Sequence, residues 1–220
     1  MSSGANYTIW VHHALAAEEA PVFPDGCRDV LVVHRPDESI HVALTDFDVG
    51  PRRVRLSGGI GITGYRLRPG VVPGREAMAA IAADPRQATQ ILAHDFAGAD
   101  EMAEAVQALA QPGATLQAVS RGLGVSIRSM QRHFRQSGLP QPDYWRLLGR
   151  ARRAVDMMSS EASLAAIAHE CAFADQAHMT REFVRWFGST PARLRSEGDH
   201  LHLLRQPGLG NWTGEQISTR

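Results

Sequence analysis

Apolar and polar positions change their rhythm once along the chain, near residue 70. From residue 7 to about 68, short runs rich in β-branched and aromatic residues (YTIWVHHAL, CRDVLVVHR, SIHVALTDF, RRVRL and GITGYRLRPG) are separated by turn signals at Pro24-Asp25-Gly26, Arg35-Pro36-Asp37 and Ser57-Gly58-Gly59. Runs of this kind, punctuated by Gly, Pro and Asp, predict a small antiparallel sheet or open barrel. The stretch 30–33 predicts a central strand, while Val42, Leu44 and Asp46 alternate with their neighbours as a half-buried strand does.

After Pro69-Gly70 the spacing is helical. It predicts one helix over 76–83, a second from Pro85 behind an Asp84 cap to about 94, and a third from an Asp100 cap to about 110. The remainder is helical and contains a repeat. Thr115 caps a short helix to about Gly122, Gly124-Val125 turns the chain, and Ser126 caps IRSMQRHFRQ. Ser163 caps LAAIAHE, residues 171–174 turn the chain, and Asp175 caps QAHMTREFVRWF. A shift of 49 places Ser126 on Asp175, Met130 on Met179, Arg132 on Arg181 and Phe134 on Phe183, and each copy then reaches a glycine, Gly138 or Gly188, suited to ending a helix. A long helix over 142–158 joins the copies, with Tyr144, Leu148, Ala151, Val155 and Met158 on one stripe.

A short helix, a tight turn and a second capped helix form a helix-turn-helix unit, whose second helix docks its apolar face and displays its polar one. In the first copy Ile127, Met130 and Phe134 are expected to dock, leaving Ser126, Arg128, Gln131, Arg132 and Arg135 to face out. In the second, Met179 and Phe183 dock, and Gln176, His178, Arg181 and Arg185 face out. Arginine forks onto guanine and glutamine spans adenine, so these nine residues are the candidate DNA-binding set. Two such helices on one rigid connector suit successive major grooves of double-stranded promoter DNA. Arg150, Arg152 and Arg153 on the connecting helix are expected to be surface charges or phosphate contacts.

The segments VSRGLGVSIRSMQRHFRQSGL and IAHECAFADQAHMTREFVRWFGSTPARLR closely resemble the AraC/XylS family of transcriptional regulators. The resemblance implies a double helix-turn-helix DNA-binding domain, a role in transcription regulation, more often activation, and RNA polymerase as a candidate partner. Where the family usually has glycine in the second turn this chain has Ala172, from which a backbone without strong left-handed character is expected there. Phe23-Pro24-Asp25-Gly26-Cys27-Arg28-Asp29 and Gly64-Tyr65-Arg66-Leu67-Arg68-Pro69-Gly70 are similar to a domain of unknown function found in front of such DNA-binding domains, which implies binding of a small-molecule effector, formation of a homodimer, or both.

Charge distribution agrees with this division. The 23 basic and 23 acidic residues cancel overall, and every basic residue is arginine. Residues 1–111 carry 9 arginines against 14 acids, whereas residues 112–195 carry 12 against 6, so the helical half is the basic one. The N-terminus has neither the basic start nor the apolar core of a signal peptide, and no stretch is long enough to span a membrane, so a cytoplasmic protein without a membrane partner is expected.

The expected fold is α+β: a β-rich domain over 1–70, a helical connector over 71–99, the DNA-binding domain over 100–196 and a mobile tail over 197–220. Candidate ligand-binding residues in the first domain are Trp10, Cys27, Tyr65, Arg66 and Arg68. Trp10 and Tyr65 are placed either on a pocket wall or in the core, and Arg66 and Arg68 either on an anionic effector or in ion pairs with Asp25 or Asp29. Cys27 beside Arg28 reads either as a thiol sensor or as a small buried residue. His12, His13, His34, His41 and Cys27 could in principle line a metal-dependent enzyme barrel, but no His-x-His spacing occurs on these strands, and no metal, cofactor or catalysis is expected.

Overall fold

The computed structural model describes residues 6–96, 100–198 and 200–213. Among the described residues, six strands form in the first third of the chain: β1 (Tyr7–Ala14), β2 (Glu18–Val22), β3 (Asp29–His34), β4 (Ile40–Leu44), β5 (Arg52–Leu56) and β6 (Ile60–Leu67). They make a four-stranded antiparallel sheet in the order β1-β6-β3-β4 and a separate two-stranded ribbon of β2 and β5. The stretch 30–33 does lie on a central strand, β3, with Val30 and Val32 buried. Strand β2 was not expected, because EEAPV has no apolar alternation and contains Pro21. Its partner creates it: Glu19 accepts from Arg53 at 2.8 Å and Arg55 at 2.7 Å across the ribbon, and a two-stranded edge tolerates proline.

Helices α1 (Arg75–Ala83) and α2 (Ala88–Asp95) cover the sheet, and between them Pro85–Gln87 is a 3-10 turn capped by Asp84. Ile81, Ala88, Leu92 and Phe96 share one core with Val30, Val32, Tyr65 and Leu67. The segment expected to be a connector is therefore packed onto the sheet. Residues 97–99, around the expected boundary, and the side chain of the expected cap Asp100 lie outside the described set.

The helical half contains α3 (Asp100–Ala110), α4 (Leu116–Gly122), α5 (Ile127–Gln136), α6 (Pro142–Asp156), α7 (Leu164–Glu170), α8 (Gln176–Phe187), α9 (Pro191–Glu197) and α10 (Leu201–Leu204). Strands followed by helices make the fold α+β. Phe134, Trp145, Leu148, Val155, Phe183 and Trp186 form the centre of its core. Gly149 lets α6 lie against α3, since a Cβ there would approach Ala110 Cα to 2.9 Å. Among the described residues no helix is long and apolar enough to cross a membrane.

Several contacts among the described residues join the halves. Phe47, beyond β4, meets the Trp145 ring edge-on at 5.4 Å, and the Tyr144 hydroxyl donates to the Asp48 carbonyl at 2.9 Å. The tail, expected to be mobile, is packed against the rest of the chain over residues 200–213. Leu204 and Leu209 are buried in the helical core, and Arg152 donates to the carbonyls of Leu204, Gln206 and Leu209 and to Asn211 Oδ1. The tail also reaches the sheet domain, where Arg66 donates to the Pro207 carbonyl at 3.3 Å.

Candidate nucleic-acid interface

The local structure of both helix-turn-helix units follows from their caps. Thr115, Ser126, Ser163 and Asp175 each accept from a backbone N–H three residues on, at 3.1, 3.0, 3.1 and 2.6 Å. Each cap satisfies an otherwise orphaned donor and contributes about 1 kcal/mol to its helix. In the first unit Gly124 turns the chain at φ 68° and Val125 donates back to the Ser120 carbonyl at 3.0 Å. In the second, Ala172 takes φ 58° and Phe173 donates to the Ala168 carbonyl at 2.9 Å.

That geometry corrects the reading of Ala172. It stands in the left-handed region despite its Cβ, because the turn between α7 and α8 demands the conformation that Gly124 supplies in the first copy. It also refines the repeat. The first helices of the units, capped by Thr115 and Ser163, are related by a shift of 48, and the second helices by 49, so the second turn holds one extra residue, Ala174.

On α5, Met130 and Phe134 are buried, and Arg128, Gln131, Arg132 and Arg135 are exposed. Among the described residues none of these four takes an ion-pair partner. Ile127, expected to dock, is instead 37% exposed, since it occupies the first turn beyond the reach of the core. Ser126 is engaged as the cap. On α8, Met179, Phe183, Trp186 and Phe187 are buried, and Gln176 and Arg181 are exposed. His178 is half-buried, its ring edge-on to Phe173 at 5.5 Å and its Nδ1 accepting from the Ala174 N–H at 3.3 Å, which leaves Nε2 as its outward atom. Arg185 lies over the Trp186 ring at 5.0 Å with Glu182 at 3.8 Å.

The arginines of α6 behave differently, and the expectation of surface charges or phosphate contacts is corrected for them. Arg152 is 3% exposed and fully engaged by the tail. Arg153 donates to the Ala110 carbonyl at the end of α3. Arg150 stacks on Phe173 at 4.5 Å and donates to the Ala172 carbonyl at 3.3 Å, which holds the second turn. Spacing alone could not distinguish these arginines from those on α5.

Trp10 packs over Gly64 and donates to Asp29 Oδ1 at 2.7 Å, and Tyr65 is buried beside Tyr7. Arg66, 1% exposed, pairs with Asp25 at 2.9 Å and Asp29 at 3.4 Å, so it is the ion-pairing role that the structure gives it. Burial alone would weaken its proton affinity, but the two carboxylates reverse that and hold it firmly charged. Arg68 is half-buried beyond the end of β6, and its N–H donates to the Asn6 carbonyl at 2.8 Å. Burial pushes the Cys27 thiol well above its ordinary value, reinforced by Asp25, which is the opposite of what a thiolate sensor needs. Among the described residues no three His, Cys, Asp or Glu side chains are grouped to hold a metal.

A cleft of about 410 Å³ opens elsewhere, between the β2–β5 ribbon and the turn from α8 into α9. Phe23, Arg52 and Arg53 form one wall, and Phe187, Arg193 and Glu197 the other. Sequence reasoning missed it, because its walls lie more than a hundred positions apart and carry no motif.

Residues 119–197 match the family model described as a helix-turn-helix domain. The match spans both second helices, α5 and α8, and the connector between them. Residues 119–197 are a helix-turn-helix domain. No curated protein sequence matches the chain. Solved structures similar to it include a probable AraC family transcriptional regulator from Rhodopseudomonas palustris (21% identity, 43% of this chain and 90% of that one, TM-score 0.38). The DNA-binding domain of AdpA, a global transcriptional factor solved in complex with a target DNA, is similar at 25% identity over 45% of this chain and 89% of that one, TM-score 0.39. ToxT from Vibrio cholerae is similar over 89% of this chain and 98% of that one, at 10% identity and TM-score 0.41.

Proposed function

We propose that the protein regulates transcription by binding promoter DNA in the cytoplasm with two recognition helices, α5 and α8, in successive major grooves of one face of the duplex. Arg128, Gln131 and Arg132 read one groove and Gln176, His178 and Arg181 the next, while Arg135 and Arg185 lie farther along the helices toward the backbone. The helix starts at Ser126 and Asp175 approach phosphates and fix the register.

The observation that carries this reading is a contrast between two sets of arginines. On α6, Arg150, Arg152 and Arg153 are engaged by backbone carbonyls or a ring and Arg146 by the Asp143 carboxylate, whereas Arg128, Arg132, Arg135 and Arg181 stand exposed without ion-pair partners among the described residues. An exposed unpaired guanidinium fork is costless to present to a phosphate or a guanine edge. Residues 100–196 act in this scheme as the DNA-binding domain and residues 1–99 as the regulatory one, which responds to a small molecule or pairs with a second copy. RNA polymerase recruited beside the bound promoter completes the role of an activator.

The experiment is binding of the full chain to DNA from its own upstream region, against a scrambled duplex, across a salt series. Preference for the native fragment, with affinity falling steeply as salt rises, is the expected result. Equal affinity for both duplexes, or affinity indifferent to salt, overturns the reading.

A further inference from the structure

The shift of 49 that superposes α5 on α8 also superposes their outward faces, and the two faces differ in chemistry. On α5 the positions opposite the buried Met130 and Phe134 are Arg128, Arg132 and Arg135, spaced four and three residues apart and all exposed. On α8 the same three positions are Ala177, Arg181 and Val184, exposed and opposite the buried Met179, Phe183 and Trp186. One helix thus presents three guanidiniums, the other a single guanidinium between two aliphatic side chains. Val184 is 47% exposed, so core packing does not account for an apolar, β-branched residue there, and such a residue lowers helix propensity. Beside this stripe, Thr180 has its hydroxyl proton committed to the Gln176 carbonyl at 2.9 Å, which leaves Arg181 as the donor between Ala177 and Val184.

In the major groove the thymine 5-methyl is the apolar group that a base pair displays, and an aliphatic side chain is its contact. Ala177 takes the place of Arg128, near the start of the helix, where side chains meet base edges. Val184 takes the place of Arg135, toward the backbone, where an arginine can bond a phosphate and a valine cannot. A 5-methyl stands at that edge of the groove, beside its own strand, and is what a valine there can cover. Ala177 and Val184 are seven residues apart, about 10 Å along the helix axis, which is the height of about three base-pair steps. We propose that α8 reads thymine 5-methyl groups, Ala177 and Val184 covering one on each side of the base pair that Arg181 contacts, while α5 is indifferent to methyls. The inference rests on the reading of the chain as a DNA-binding regulator with α5 and α8 as its recognition helices. Its consequence is a directional target, since two half-sites of different chemistry are not interchangeable and the chain binds in one orientation.

The test uses the full chain and the upstream duplex that it prefers, with single thymines replaced by deoxyuridine, which removes the methyl and keeps every hydrogen-bonding group. Base selection by Arg181→Ala first locates the base pair that Arg181 reads. Replacing a contacted thymine within about three base pairs of it should weaken binding about fourfold, the ratio that one buried methyl-sized group yields. That ratio should be the same at low and high salt, because a methyl contact releases no counterion. Ala177→Ser should reduce the loss to less than about twofold at one of these thymines and leave it at the other, and Val184→Thr should do the converse. Misfolding cannot imitate that reciprocity. Deoxyuridine in the half-site read by α5 should change affinity less than about twofold. An effect at one thymine alone assigns the reading to the residue whose variant removes it and overturns it for the other. No effect of deoxyuridine beside the Arg181 base pair, a loss undiminished in both variants, or an equal loss in the α5 half-site overturns the methyl reading and leaves the regulator. A chain with no preference for its upstream duplex overturns the regulator reading and this inference with it.

Discussion

Arg152 Nε donates to the carbonyl of Leu209 at 3.0 Å, and Leu209 in turn donates its N–H to the carbonyl of Asp25 at 2.8 Å. One relay thus runs from the connecting helix of the DNA-binding half, through the tail, to the loop ahead of β3. Gly208 makes room for it, since a Cβ there would lie 2.7 Å from the Asp25 carbonyl. Replacing Arg152 by Gln should strand the carbonyls of Leu204, Gln206 and Leu209 and cost about 3 to 5 kcal/mol of stability, because each buried unsatisfied acceptor costs about 1 to 3 kcal/mol. Urea unfolding followed by tryptophan fluorescence measures this; a loss below about 1 kcal/mol would mean that the tail contributes little.

Ala172 gives a prediction of the opposite sign. Its left-handed backbone costs an L-residue about 1 to 2 kcal/mol, and glycine's extra unfolded-state freedom returns about 0.5 to 1 of that. Ala172→Gly should therefore stabilise the protein by about 0.5 to 1 kcal/mol, whereas Gly124→Ala in the first copy should destabilise it by a similar amount. Thermal denaturation of the two variants side by side checks both signs.

Cys27 should make stability sensitive to alkali. Its native pKa is raised, so above the ordinary thiol value of 9.0 the unfolded chain has lost a proton that the folded chain still holds. Stability contributed below that value then declines as pH rises, by at most about 1.4 kcal/mol per pH unit for this one group, until the native pKa is reached. Cys27→Ala should flatten that part of the curve. For the same reason the native thiol should resist a bulky disulfide reagent at pH 8, and rapid stoichiometric labelling would revive a sensing role.

Arg132 and Asp175 should separate reading from folding. Arg132→Ala should cost about 1 to 3 kcal/mol of binding to the cognate site and relax the preference at one base, with no change in stability. Asp175→Ala should cost about 1 kcal/mol of stability through the lost cap, with the base preference unchanged. Selection from a randomised duplex library, read alongside unfolding curves, distinguishes the two; an unaltered preference in Arg132→Ala removes that residue from the readers.

The sequence by itself determined where most helices begin, that two helix-turn-helix units repeat, and where five of the six described strands run. These features are local: a cap bonds an N–H three residues away, and burial follows a period of two or 3.6 residues. Thr115, Ser126, Ser163 and Asp175 could be read from their neighbours alone. Tertiary structure decided what locality does not encode. Arg150 and Arg152 differ from Arg128 and Arg132 only through partners 22 to 59 positions away. Strand β2 exists because β5 brings it two guanidiniums, Ala172 is left-handed because the turn around it is fixed by Arg150 and Phe173, and the tail is ordered because a buried charge needs its carbonyls. A charged side chain looks the same in sequence whether it meets water, a phosphate or the protein's own backbone, and only the packed chain determines which of these it faces.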